Sequence, residues 1–445
     1  MNWIKFKQAL LGVLSINALS ISAQDNIKEN DGALTLPSLV SRTLNSNYQI
    51  QVSQIQSQQA GNLATRGQAG FFPQINANGS GAFSQNNTKL EFAGGLPDVE
   101  RNGAVNTSYG ANVGLNYTVF NGFGRVYTYR SLVQQSRLSQ AQAKLVAENL
   151  VFEAINRYVN YQQARLNAEI AIGNLNISEE RLRYTQEAVA TGAKTQLDLL
   201  SAQLDLKNDS LLYMQSNAAA EKERFAINVL MGENPNMPLI LSTEMPIPVL
   251  EEEAVLVEKV SQNASSVLLA QLSKELSELQ NNLAQSRKLP ILNLSANYGL
   301  LSSQNGAGII LSQSNVGFNS SASLVVPLFN GKQLTTAIKN SELDVKLRNY
   351  EYEQAKLTAV QLIYEAFADQ RVLEIQIQSL MQSVVVSTRA LNRAKEAYST
   401  GQIRFNDLRT AQVNALQAES ALISARMNLL RLRYSVKRLC GELLD

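Results

Sequence analysis

Two periods of apolar spacing divide this chain. Short runs alternate apolar and polar residues, and long runs space apolar residues three and four apart. In 72–83, Ile75, Ala77, Gly79, Gly81 and Phe83 fall on one face and Gln74, Asn76, Asn78 and Ser80 on the other. A period of two predicts a strand with one apolar side. The alternation returns at 109–120, where Tyr109, Ala111, Val113, Leu115, Tyr117 and Val119 oppose Asn112, Asn116 and Thr118. It returns again at 291–301 and 316–327. The Asn- and Gly-rich stretch 84–107 predicts an irregular loop.

The other period predicts helices. Leu36–Gly70 reads as one helix with Pro37 in its first turn, and Glu251–Lys288 reads as another, ending before Pro290. Arg125–Thr191 holds no proline and one glycine, Gly173; 67 residues of helix would be about 100 Å long. Lys332–Thr400 contains neither residue. Each long run is followed by a return helix, Ala193–Met231 and Gln402–Cys440. Leu197, Leu200, Leu204, Leu211, Met214 and Phe225 form a seam for a neighbouring helix, and Leu373, Ile377, Leu380, Val384, Leu391, Ala394 and Tyr398 form a second. The nine prolines all fall at element edges or in the segment 232–250, where none breaks a helix.

The pattern occurs twice. Glu187–Gln203 and Glu396–Gln412 lie 209 residues apart and share eight of seventeen residues, including Thr191-Gly192 and Thr400-Gly401. Both read as helix–turn–helix tips, since glycine takes the left-handed conformation that ends a helix without steric cost. Phe120-Asn121-Gly122 recurs at the same offset as Phe329-Asn330-Gly331, at each strand-to-helix junction. The chain is therefore read as a duplication. The first repeat is 24–231, with hairpin 125–231. The Pro-rich linker is 232–250. The second repeat is 251–445, with hairpin 332–441.

Composition narrows the function. The 39 basic and 37 acidic residues nearly balance, so no nucleic-acid surface is expected. There is no histidine and one cysteine, Cys440, which removes imidazole chemistry and intrachain disulfides and leaves an inert thiol as the expected role of Cys440. No nucleophile–base pair, metal cluster or phosphate loop is found, so an enzyme, a metal and a cofactor are not expected. Lys5, Lys7 and the apolar stretch 9–21, followed by Ser22-Ala23, predict a secretory signal over residues 1–23. No cysteine follows the cleavage point, so no lipid anchor is expected there.

The strands and helices then constrain the assembly. A run of about 11 alternating residues crosses a bilayer as a tilted strand, with one face to lipid and one to water. Four strands cannot close alone, and an open edge is not tolerated in lipid. Three chains supply twelve, closing a barrel with a polar lumen. Helices of about 100 Å must project from it and pack side by side. The expected architecture is mainly α with a membrane β-barrel portion: a homotrimeric 12-stranded barrel continued by a long periplasmic α-helical barrel. A secreted coiled-coil scaffold or adhesin, with the alternating runs in a soluble sheet, is the competing reading.

The chain resembles the TolC-like outer-membrane efflux proteins. The resemblance rests on the duplicated plan, the FFPQINANGS strand entry, the YTVFNGFGR and VPLFNGK junctions and the TGAKTQLDLLSAQ and TGQIRFNDLRTAQ tips. It implies a homotrimer in the cell outer membrane, in contact with its lipid and with a large periplasmic portion. It implies docking of the tips to a periplasmic adaptor that links the duct to an inner-membrane transporter, in drug efflux or type I secretion. It also implies that Asp407, six residues after Gly401, forms a ring narrowing the periplasmic entrance. Thr410 stands where the family often has a second acid, with Arg409 beside it. Asp198 matches the acid that pairs with an arginine across the closed tip. Ile403 occupies that arginine's position, with Arg404 adjacent. An Asp in a first helical turn also complements the helix dipole with no gating role.

Overall fold

The computed structural model describes residues 33–94 and 97–444. The signal segment 1–23 lies outside the described residues. Two short helices open the described chain, α1 (Leu36–Ser46) and α2 (Tyr48–Leu63). Strands β1 (Gln74–Leu90) and β2 (Val99–Asn121) follow, then the long helix α3 (Gly124–Ala190) and its return α4 (Gln196–Leu230). The order then repeats as α5 (Glu253–Asn263), α6 (Ser265–Ser286), β3 (Ile291–Gln304), β4 (Ser312–Val325), α7 (Gln333–Ser399) and α8 (Phe405–Leu439). Both α3 and α7 have 67 residues, and both α4 and α8 have 35.

Two expected helices are each broken in the middle. Asn47 turns extended between α1 and α2, because its side chain does better as a cap: it accepts from the N–H groups of Gln49 and Ile50 at 2.9 and 3.3 Å. Its amide also donates to the Leu230 carbonyl at 2.9 Å, pinning the break to the end of α4. Ala264 breaks α5 from α6 with no side-chain cap; it is buried in the core of α5, α7 and α8, so packing sets that corner.

Among the described residues the four strands form one antiparallel sheet in the order β1-β2-β3-β4, with β1 and β4 as its open edges. The expected irregular loop 84–107 is corrected: most of it is paired strand, with Ser84↔Asn106 through Leu90↔Val99 extending the first hairpin beyond Thr107↔Gln304, the last pair of β2 with β3. Polar residues suit a ribbon that leaves the apolar band, and a register shift between Asn86 and Thr88 absorbs the irregularity. Uncharged polar residues meet across strands on one face. Asn78 donates to Asn112 (3.2 Å), Thr118 to Asn293 (2.8 Å), and Ser295 meets Ser321 (2.7 Å).

The helical core surrounds the middle of α3 and α8. Val151, Ala154, Ile155, Tyr158 and Val159 of α3 pack with Leu36, Leu39, Ile50, Met427 and Leu430. The segment between α4 and α5 joins this core through Leu241, which bridges to Leu34, and Tyr158 donates to the Ser242 carbonyl at 2.6 Å. Cys440 is buried in the separate core of α5, α7 and α8, and burial pushes its thiol up to about 11. The two seams fare differently. The α7 seam residues are half-buried, and α7 packs on α8; on α4, Leu197, Leu200, Leu204 and Met214 remain 61–72% exposed.

Candidate functional site

The two helical tips share one backbone construction. At the first, Gly192 (φ +73) donates to the Val189 carbonyl at 3.0 Å and Ala193 to Ala188 at 2.8 Å. At the second, Gly401 (φ +75) donates to Tyr398 at 3.1 Å and Gln402 to Ala397 at 2.8 Å. These paired bonds satisfy the last carbonyls of α3 and α7, and the positive φ makes glycine the cheap residue there. The threonine before each glycine returns its hydroxyl to the helix it ends, Thr191 to Ala188 and Thr400 to Ala397, each at 3.1 Å.

The caps of the return helices differ. The carboxylate of Asp198 accepts from the Thr195 N–H at 2.9 Å and its hydroxyl at 2.7 Å, while Thr195 accepts from the Asp198 N–H: a complete capping box. These bonds hold the Asp198 carboxyl below the usual range. Asp407 accepts from the Arg404 N–H at 3.0 Å, but a guanidinium has no acceptor with which to return the bond. The second box is therefore half made. Asp407 and Arg404 are both exposed, and Asp198 is directed to Thr195 in its own turn.

Behind the tips lies a charge cluster that sequence reading missed. Arg409 of α8 makes a two-pronged contact with Asp209 of α4, at 2.8 and 2.7 Å. Ser178 of α3 donates to the same carboxylate at 2.5 Å. Arg181 of α3 pairs with Asp205 at 2.8 Å, and its guanidinium stacks 3.1 Å from the Phe405 ring centroid. Ser178, Arg181 and Asp209 are buried. The Asp209 bonds raise the Arg409 pKa above its ordinary value, whereas burial lowers that of Arg181 despite Asp205. One sequence signal was available: Asp205 and Asp209 stand four apart, on one face of a Leu-rich helix. Nearer the end, Lys194 contacts the Tyr398 hydroxyl and lies over the Tyr398 ring, 4.5 Å from its centroid. The first tip is thereby fastened to the second.

The junctions repeat as closely as the tips. Asn121 accepts from the Arg125 N–H at 3.2 Å and Asn330 from the Leu334 N–H at 3.3 Å, capping the two long helices. Between cap and helix the backbone is left-handed twice in succession, at Gly122 and Phe123 (φ +63 and +64) and at Gly331 and Lys332 (φ +63 and +66). At Gly122 a Cβ would lie 2.4 Å from the Ser286 carbonyl oxygen, so glycine is also required by contact with the end of α6. Phe120 packs edge-on against Phe123, 5.5 Å between centroids, whereas Phe329 is 82% exposed.

Residues 39–233 and 256–442 both match the family model described as outer membrane efflux protein. The chain belongs to this family. Membership places it in the outer membrane of a Gram-negative cell, with its helical part in the periplasm. It is 24% identical to the cation efflux system protein CusC of Escherichia coli (strain K12), over 95% of this chain and 89% of CusC. It is 26% identical to the outer membrane protein TolC of the same strain, over 65% of this chain and 56% of TolC. The fold is that of solved outer-membrane channels. OprN superposes with a TM-score of 0.75 at 21% identity, covering 92% of this chain and 90% of OprN. Campylobacter jejuni CmeC superposes with a TM-score of 0.76 at 17% identity, covering 92% and 86%.

Proposed function

We propose that this member of the efflux family is a homotrimeric exit duct, passive itself and powered by an inner-membrane transporter through a periplasmic adaptor. One observation carries the reading. Through α3 on α4, α3 on α8 and α7 on α8, the four long helices run side by side in the order α4-α3-α8-α7. The outer two, α4 and α7, are the ones with uncovered apolar stripes: Leu200, Leu204 and Leu211 on one, Leu357, Val372 and Ile375 on the other. The sheet likewise has free edges at β1 and β4. A neighbouring copy on each side covers the stripes and pairs the edges together, and three copies close twelve strands and twelve helices into one tube. The matching element lengths of the halves support an origin by duplication.

In this duct the uncharged strand face lines the barrel and the apolar face meets lipid. Thr191, Gly192, Thr400 and Gly401 form the far end, where the adaptor docks. Asp407 with Arg404 sits at the entrance, and Asp198 serves first as the cap of α4. The six residues from Phe120 to Gly122 and from Phe329 to Gly331 turn barrel into helix. Purified protein in a planar bilayer should conduct ions and cross-link as trimers; a monomer without conductance would overturn the reading. Asp407→Ala should raise single-channel conductance by removing a carboxylate from the narrowest ring. Unchanged conductance would remove Asp407 from the gate and leave the duct intact.

A further inference from the structure

A groove of about 740 Å³ runs between α3, α7 and α8 at the level of the core. Its position in the wall follows from helix geometry. At about 100° per residue, Asn428, Arg431, Leu432 and Ser435, which line the groove, share one side of α8. Arg433, Tyr434 and Lys437 fall on the other. Arg433 and Tyr434 there donate to the Pro248 and Pro246 carbonyls, and Lys437 borders α1. On α3, Phe152, Asn156 and Asn160 line the groove, while Tyr158 and Gln162 turn away to the Ser242 carbonyl. The segment between α4 and α5 therefore covers the face of the helical layer opposite the groove, and a duct that carries this segment on its outside has the groove on its inside.

Its chemistry is two-sided. The Arg431 guanidinium donates to Asn160 (2.6 Å), Gln163 (2.7 Å) and Asn428 (2.7 Å), all neutral amides that fix its direction without cancelling its charge. Burial lowers the Arg431 pKa against the opposing field of Glu223, and among the described residues no carboxylate is hydrogen-bonded to its guanidinium. On the facing wall, Asp369 of α7 lies exposed, and the ion pairs of that stretch run through Arg371 and Glu374 instead. Between the two charges the lining includes Phe152, Leu373, Leu432 and Val372, the last 64% exposed. The volume is that of a small-molecule site.

We propose that this groove is a luminal binding station for zwitterionic amphiphiles of a few hundred daltons. Arg431 receives the anionic group, Asp369 the cationic one, and the apolar lining covers the body between them. The proposal rests on the trimeric duct, since only a closed tube makes this face a lumen. Three copies would place three stations around the passage.

The test uses the full-length channel in a planar bilayer and in detergent-solubilised form. The probes are phenylalanyl-phenylalanine, its N-acetyl derivative, which lacks the cation, and its methyl ester, which lacks the anion. The intact dipeptide should bind by calorimetry and interrupt single-channel current. Each derivative should bind about tenfold more weakly, the worth of one charge-assisted bond. Asp369→Asn should reduce the affinity of the dipeptide and of the methyl ester about tenfold and leave that of the N-acetyl derivative unchanged, because its cation is already absent. Arg431→Gln should reduce affinity for dipeptide and N-acetyl derivative alike. If Arg431→Gln fails to assemble, Asp369→Asn with the three probes still decides. A conducting trimer that binds all three probes equally, or none, overturns the station and leaves the duct standing. A protein that does not conduct overturns the duct itself.

Discussion

The two long hairpins, α3–α4 and α7–α8, are the same length and turn through the same hydrogen bonds, yet their surroundings differ. In the first, the tip cap is complete, with Thr195 and Asp198 bonded in both directions, and the return helix leaves its Leu seam uncovered. In the second, Arg404 replaces the threonine, the cap is half made, and the seam on α7 is packed against α8. A repeated backbone thus carries unrepeated side chains, and the unrepeated ones hold the hairpins together. Arg409 has Lys/Arg-free Leu200 as its counterpart 209 residues earlier, so the grip on Asp209 has no mirror image.

The largest effect is expected where the hairpins grip each other. Arg409→Ala leaves Asp209 buried without its partner and should cost about 3 kcal/mol. Thermal unfolding of the purified channel and trypsin sensitivity near the tips would read it. A shift within error would mean that the cluster is ornamental. The uncovered seam comes next. Leu200→Glu with Leu204→Glu should convert the trimer to monomer by mass photometry with helix content kept, since each leucine contributes roughly 1.5–3 kcal/mol when buried. A trimer that survives both would put the interface elsewhere.

The caps sharpen the comparison at smaller scale. Thr195→Ala should destabilise the first tip by about 1 kcal/mol, and Arg404→Thr should stabilise the second by a few tenths to about 1 kcal/mol, by completing its box. Hydrogen exchange at the first amides of α4 and α8 would separate the two; equal behaviour of both tips would refute the difference. The pH effect is the smallest. Because the folded Asp198 carboxyl is held below its ordinary value, its contribution is present above the unfolded pKa and is lost as pH falls through the folded one. Exchange at the first turn of α4 should therefore accelerate on acidification below about pH 4, and Asp198→Asn should remove that dependence.

Much of this was legible along the chain. The 67-residue helices, the Gly192 and Gly401 stops and the four strands follow from spacing, because a period of two or 3.6 and a left-handed glycine are local properties of backbone. The break at Asn47 was missed since a helix-compatible window hid a cap that also needs the distant Leu230 carbonyl. The paired ribbon beyond Ser84 was missed because Asn and Gly favour loops when no partner strand is in view. Of the tip, the turns were legible, and so was the place of Asp198 and Asp407 in a first helical turn; the cluster of Ser178, Arg181, Asp205, Asp209 and Arg409 was not.

Sequence alone thus set the kind and length of each element, the repeat and the two-faced strands that point to a membrane. Tertiary structure alone decided which side chains meet. Arg409 and Asp209 are 200 residues apart, and only the lateral alignment of one hairpin on the other brings them to 2.7 Å. Periodicity is enforced by the geometry of neighbouring peptides, whereas a charge pair between hairpins depends on their axial register, which no local pattern encodes.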